Sequence, residues 1–348
     1  MAAEKIRIGV IGASGYTGAD LVRLAARHPA LDIAVLTANT HSGKPVHEVF
    51  PHLAGLALPM LIKNEEADWS GIDAVFCGLP HATSQEVIAK LPRGLKIIDM
   101  SADFRLRDAA VYEKWYGVPH KAPALQSEAV YGLTEHYRDD IRKARLIACP
   151  GCYPTAALLM LLPLVKKGLI ELDDIIIDAK SGVSGAGRSL KQNLLFCEAG
   201  EGLSPYGVAS HRHAPEIEQE ISKAAGRAVI VNFTPHLVPM SRGELCTIYA
   251  RLSGGAEAAD CERALEDSYL EENFIRLAPK GVVPATQFVR GSNDVLLAAY
   301  ADRVPGRVIL VSTLDNLVKG SAGQAIQNFN LMFGLPETSG LLQAALFP

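Results

Sequence analysis

The chain has 348 residues, 49% of them hydrophobic and 21% charged, with a formal net charge of -4 at pH 7. That length exceeds what one hydrophobic core usually serves, so two domains are expected in an ordinary folded protein. No basic stripe suits nucleic acid and no apolar stretch reaches the roughly 18 residues of a membrane span, which leaves small-molecule chemistry.

The elements follow in chain order. Ile6–Ile11 is β-branched and leads into Gly12-Ala13-Ser14-Gly15-Tyr16-Thr17-Gly18, then a helical pattern through Leu21, Val22, Leu24 and Ala25. Further strands are expected at 33–36, 74–77, 96–99 and 146–148, and their alternation with helices implies a parallel sheet. A helix is expected from about Pro154 to Lys167, proline favouring its first turn and lysines its last. The apolar run Ala156–Val165 is interrupted by Pro163.

The second half changes character. Strand candidates at 175–177, 229–233, 245–252, 295–300 and 308–311 have fewer helices between them, which predicts a mixed or antiparallel sheet covered by helices on one face. Residues 317–334 return to helical periodicity and are expected to pack on the first domain. The fold class is therefore α/β: a Rossmann domain with a parallel sheet over 1–150, completed by 316–348, and a second α/β domain with a mixed sheet over 151–315. No repeats or low-complexity tracts interrupt it.

Ile6–Ile11 lacks the length and cleavage site of a secretory signal. The six cysteines, Cys77, Cys149, Cys152, Cys197, Cys246 and Cys261, are sparse, so they read as reduced thiols of a cytoplasmic protein.

Gly12, Gly15 and Gly18 sit between a strand and a helix, where a pyrophosphate meets exposed N–H groups and the positive helix end. With Ser14, Tyr16 and Thr17 they form the expected dinucleotide turn. The second strand is followed by Thr37-Ala38-Asn39-Thr40-His41-Ser42-Gly43-Lys44, without the acid that would bind the ribose of NAD. Thr37, Asn39, Ser42 and Lys44 are instead expected around a 2′-phosphate, which predicts NADPH.

Cys149 and Cys152 form a C-x-x-C. Zinc would need a second ligand pair that the sequence lacks, so no metal is expected, and a redox dithiol would normally sit in a thioredoxin-like unit. The remaining reading separates the two. Cys149 ends a strand and is expected to be buried, whereas Cys152 follows glycine at a helix mouth, where the helix dipole favours a nucleophilic thiolate. Cys77, Cys197, Cys246 and Cys261 suit the role of small buried hydrophobes.

Such a nucleophile needs an acid/base partner, and His211-Arg212-His213 ahead of Pro215 supplies two candidates without distinguishing them. Ser181, Arg188 and Arg212 are expected on an anionic substrate, with Ser184 and Gly185 of the same glycine-rich loop on the cofactor. Asn316 is expected to hold the nicotinamide amide. Gly320 and Gly323 read as close helix packing.

These residues resemble the N-acetyl-γ-glutamyl-phosphate reductase family, within the aspartate-semialdehyde dehydrogenase-like superfamily. The matching stretches are 12–18, Gly78-Leu79-Pro80-His81, Ser101-Ala102-Asp103-Phe104-Arg105, Tyr131-Gly132-Leu133-Thr134-Glu135, Pro150-Gly151-Cys152-Tyr153-Pro154-Thr155, 184–187, His211-Arg212-His213 and 316–320. The resemblance implies an NADPH-dependent reductase of arginine biosynthesis in which Cys152 forms a thioester, His211 or His213 handles the proton, and phosphate departs. It implies cofactor contacts at Gly78, Leu79 and Pro80 and a homodimer or homotetramer, while Arg105 is a further candidate for the substrate. Met160 stands where the family pattern has a small residue. Aspartyl phosphate and N-acetyl-aminoadipyl phosphate are the rival substrates, and a redox-sensing NADPH-binding regulator is the rival from another class.

Overall fold

The computed structural model describes residues 5–348. The first four residues of the expected 1–150 domain lie outside the described residues. The chain divides into two compact units, Met1–Pro150 with Ser321–Leu342, and Gly151–Gly320 with Gln343–Pro348.

The first unit is built on seven parallel strands: β1 (Ile6–Ile11), β2 (Leu31–Thr37), β3 (Leu61–Ile62), β4 (Ala74–Cys77), β5 (Lys96–Asp99), β6 (Ala129–Tyr131) and β7 (Leu146–Ala148). Their order, β3-β2-β1-β4-β5-β7-β6, runs outward both ways from β1 and β4, the doubly wound arrangement of a Rossmann sheet. β4 and β7 are buried throughout, as strands covered on both faces should be. Beside β1, a Cβ added at Gly9 would fall 2.5 Å from the Trp69 ring, so glycine makes room for the edge of the indole against the strand. The other tryptophan, Trp115, packs against Leu106, Tyr112 and Tyr116.

The late helix Gly323–Met332 belongs to this unit, and all ten of its residues are buried. Phe329 meets Phe76 of β4 at 5.5 Å between ring centroids. Asn328 donates to the Gly132 carbonyl at 2.8 Å and to the Cys149 sulfur at 3.7 Å. The helix periodicity after residue 317 thus returns to the first unit, preceded by a π-helical turn over Val318–Ala322.

The second unit holds a mixed sheet of β8 (Ile175–Gly182), β9 (Ser204–Pro205), β10 (Val231–Val238), β11 (Glu244–Arg251), β12 (Ile275–Leu277), β13 (Val295–Ala301) and β14 (Arg307–Leu314). The order is β12-β13-β14-β11-β8-β10-β9, with β10/β8 and β12/β13 parallel and the other pairs antiparallel. Alternation sets the two faces. On β8, Ile175, Ile177 and Ala179 are buried while Ile176, Asp178 and Lys180 are half-exposed. The buried face packs under helices Cys152–Lys166, Ala214–Ala225 and Ala258–Tyr269, matching the one-sided cover expected.

Helix Cys152–Lys166 is the spine of this unit, buried from Tyr153 to Val165 and with Met160 wholly enclosed. It starts two residues before the expected Pro154, which still falls in the first turn, where an N–H has no helical acceptor anyway. Pro163 does not interrupt it. Proline removes the donor that Leu159 would have had four residues on, and the Tyr269 hydroxyl replaces it, donating to the Leu159 carbonyl at 2.5 Å. Among the described residues no helix is long and apolar enough to cross a membrane.

Candidate functional site

In the first unit the chain turns from β1 into helix Tyr16–Ala25 through the glycine triplet. Gly12 has a φ of +82°, and a Cβ there would fall 2.7 Å from the Gly78 carbonyl oxygen. A Cβ at Gly18 would lie 2.4 Å from the Gly12 oxygen. Gly15 is the N-cap, with no side-chain cap on the helix. The first N–H groups of that helix, at Tyr16, Thr17 and Gly18, therefore point outward from a turn that only glycine allows, which is the geometry a phosphate requires. The Thr17 hydroxyl accepts from Ser321 at 3.4 Å. Gly78 donates to Ile11 at 2.8 Å, with half-exposed Leu79 and exposed Pro80 following it beside the turn.

The loop after β2 needs one revision. Thr37 is fully buried and its hydroxyl donates to Asn64 at 2.5 Å, so it does not serve as a phosphate ligand. Its contribution is the main-chain carbonyl, which receives the N–H groups of Gly12 and Ala13 at 3.1 and 2.9 Å. Asn39 and Lys44 are exposed and Ser42 is half-exposed. Gly43 donates to Leu61 at 2.7 Å, which pins this loop to β3.

Arg105 is also reassigned. It is buried, and its guanidinium donates to the carbonyls of Cys149 at 2.8 Å and Met100 at 3.2 Å, tying the carboxyl ends of β5 and β7. Beside it lies a buried acid network: Asp103 accepts from Ser84 and Tyr112 at 2.9 and 2.8 Å, while Asp99 accepts from Ser101 at 2.7 Å. Burial pushes Asp99 up to about 6 despite the Ser101 hydrogen bonds.

In the second unit Cys152 is the first residue of its helix and half-buried, behind an N-cap Gly151 with extended φ and ψ of -67° and 160°. Glu216, third in helix Ala214–Ala225 and 1% exposed, accepts the Gly151 N–H at 2.9 Å. A Cβ added at Gly320 would fall 2.7 Å from the Cys152 Cβ, so close packing is the reason for that glycine. Cys149, in the first unit, is buried and pushed up to about 12 by desolvation, an inert thiol. All six cysteines are free thiols, and Cys197 is exposed, against its expected burial.

Tyr153, next to the cysteine, is ringed by the histidine pair. Its ring centroid lies 5.9 Å from that of His211 and 5.8 Å from that of His213, and the two imidazoles are 4.8 Å apart. Tyr206 donates to the Tyr153 hydroxyl at 3.3 Å, and Tyr153 donates to the His236 carbonyl at 3.2 Å. Burial, and then the charge of Arg212, lower His211 to about 4. Its Nδ1 accepts the His213 N–H at 3.2 Å, which leaves the proton of the neutral ring on Nε2. Glu244, at the start of β11, is fully buried, and burial pushes it up to about 8 beside the Cys152 thiol.

Two expected ligands prove to be internal ties. Ser181 is buried and donates to the Gly182 carbonyl at 3.1 Å. Asn316 is also buried, its oxygen taking the Gly243 N–H at 2.8 Å and its amide donating to Ser184 at 3.0 Å. The amide thus joins two loops rather than standing open to a nicotinamide. Gly185 and Arg188 are exposed, and Arg212 is half-buried beside its histidines.

Two family models match the chain: the semialdehyde dehydrogenase NAD binding domain over residues 7–144 and the semialdehyde dehydrogenase dimerisation domain over 152–316. Aspartate semialdehyde dehydrogenase II of Vibrio cholerae, solved with ASA, superposes with a TM-score of 0.71 at 17% identity, covering 95% of this chain and 99% of that one. The Candida albicans aspartate semialdehyde dehydrogenase with NADP gives 0.69 at 17%, again over 95% and 99%. Identities this low establish the fold alone. Fold and family models together define a semialdehyde-dehydrogenase-type oxidoreductase.

The finer relationship comes from sequence. The N-acetyl-gamma-glutamyl-phosphate reductase of Rhodospirillum rubrum is 57% identical over 350 residues, 99% of each chain. The probable chloroplastic N-acetyl-gamma-glutamyl-phosphate reductase of Arabidopsis thaliana is 56% identical over 345 residues, 99% of this chain and 86% of its own. The chain belongs to the N-acetyl-gamma-glutamyl-phosphate reductase family.

Proposed function

We propose that this chain reduces N-acetyl-γ-glutamyl phosphate to N-acetylglutamate 5-semialdehyde in arginine biosynthesis, with Cys152 carrying the acyl group. One observation carries the reading: a half-buried thiol begins a buried helix whose N-cap is clamped by Glu216. The helix N-terminus favours the thiolate, and the N–H groups of the first turn are suited to an oxyanion.

The Cys152 thiolate attacks the γ-carbonyl carbon; a C–S bond forms, the C–O bond to phosphate breaks, and a thioester remains. NADPH, when bound, supplies the hydride. The cofactor fits the first unit's turn, where Gly12 and Gly18 let backbone pack on backbone and the helix opens with no side-chain cap on its N–H groups. We assign Gly12, Ser14, Gly15, Tyr16, Thr17, Gly18 and 78–80 to the dinucleotide, with Asn39, Ser42 and Lys44 at the 2′-phosphate. The Nε2–H of His211 donates a hydrogen bond to the oxyanion of the hemithioacetal; that oxyanion re-forms the carbonyl as the C–S bond breaks, the aldehyde is freed, and His213 gives its proton to the departing Cys152 sulfur. Arg188 and Arg212 take the substrate's anionic groups.

The domain assignment follows from these roles: 1–150 with 316–348 for the dinucleotide, 151–315 for catalysis and subunit contact. The half-exposed face of the second sheet is our candidate for a homodimer or homotetramer contact, and the free thiols favour a cytoplasmic setting.

The reverse assay tests the reading. Phosphate-dependent reduction of NADP⁺ with N-acetylglutamate semialdehyde is expected, with far lower kcat/KM for NAD⁺. Mixing with acyl phosphate in the absence of cofactor should add one acyl mass to the peptide containing Cys152. Reduction without phosphate, or an unmodified Cys152, overturns it.

A further inference from the structure

Glu244 has 0% exposure at the head of β11, opposite Ser181 on β8 and Leu314 on β14. Leu314 packs on Gly320, where an added Cβ would meet Leu314 at 3.2 Å and Cys152 at 2.7 Å. This chain of contacts sets the carboxyl beside the Cys152 thiol. Among the described residues neither carboxyl oxygen has a hydrogen-bond partner. Native proteins rarely leave a buried carboxyl so poorly satisfied, and where they do, catalysis is a leading reason.

We propose that Glu244 is the proton partner of Cys152: its carboxylate takes the Sγ proton, and the resulting acid then hydrogen-bonds the thiolate. The S–H bond breaks, an O–H bond forms, and no electrons are exchanged. The proposal rests on the reading of Cys152 as nucleophile and adds the group that ionises it.

The surroundings favour a shared proton. Burial raises Glu244 to about 8, with the thiol offsetting part of the effect and Asp315 adding to it, close to the roughly 8.5 of an ordinary thiol. The other titratable groups facing it are Tyr153, Tyr206 and Cys246, all raised by burial and by its charge. Asp315 is not a competing base, since its oxygens accept the N–H groups of Leu317 at 2.8 Å and Gly291 at 2.7 Å and it pairs with Arg242 at 3.4 Å. Two adjacent groups that cannot both ionise cheaply lose their protons in two steps belonging to the pair.

The test is the pH dependence of Cys152 alkylation by iodoacetamide in the full chain, read by peptide mass spectrometry because exposed Cys197 also reacts. The wild type should alkylate in two steps between pH 5 and 10. Glu244→Gln, which keeps the volume, should lose the lower step, giving one step at higher pH, and kcat/KM near neutrality should fall about 100-fold. A single step in the wild type overturns the proposal even if the variant fails to fold; so does an unchanged two-step profile in a folded Glu244→Gln. Retained turnover in Cys152→Ser would instead sink the nucleophile reading, leaving the alkylation result to stand by itself.

Discussion

The Glu216 carboxylate holds the N–H of Gly151 at 2.9 Å, so the residue ahead of the cysteine is fixed by a helix that begins beside the histidine pair. Leaving a buried N–H without its acceptor costs about 2 kcal/mol. Glu216→Ala should cost roughly that much in urea unfolding, and Cys152 should alkylate more slowly in the folded variant. Unchanged stability would mean the clamp is not made in solution.

The two cysteines of the C-x-x-C should part company. Cys152→Ser is expected to lose nearly all turnover while still binding NADPH, followed by nucleotide fluorescence. Cys149→Ser removes a buried thiol bonded to Asn328 and should keep most activity. Equal losses would favour a redox pair.

Opposite stability trends with pH follow from the two shifted groups. His211 is lowered from 6.5 to about 4, so the unfolded chain binds its proton first and stability drains away as pH falls through that window. Glu244 is raised from 4.5 to about 8, so the folded chain holds the extra proton, and stability falls as pH rises from 4.5 to 8. Relative to wild type, Glu244→Gln should gain in Tm between pH 5 and 8, whereas His211→Asn should gain between pH 6.5 and 5. Parallel melting curves for all three proteins would refute both assignments.

Gly320→Ala places a methyl 2.7 Å from the Cys152 Cβ. Turnover should drop about tenfold or more as the thiol is displaced, with NADPH affinity little changed. Gly12→Ala, at φ +82° and 2.7 Å from the Gly78 oxygen, should do the reverse: weaker NADPH binding and about 1–3 kcal/mol of strain, by nucleotide titration and unfolding.

Sequence spacing revealed what depends on local chain geometry. The glycine turn and the Cys152 helix mouth each occupy a few consecutive residues, so their placement could be read directly. Side-chain direction depends on distant partners. Thr37 is claimed by Asn64, Asn316 by Gly243 and Ser184, and Arg105 by the Cys149 carbonyl, none of which is adjacent in sequence. Glu216 and Glu244 went unread because a glutamate on a helix or strand is ordinarily solvated. A signal existed for one of them: two-residue alternation puts Glu244 on the buried face with Cys246, Ile248 and Ala250. Exposed Cys197 shows the converse error, since residue type alone does not establish burial.

Both tryptophans, Trp69 against Gly9 and Trp115 beside Tyr112, lie in the dinucleotide unit. Indole emission is therefore a one-sided reporter, blind to the half that bears Cys152. A fluorescence melt that runs ahead of far-ultraviolet circular dichroism would signal that the halves come apart in sequence, and a midpoint taken from emission would then describe only one of them.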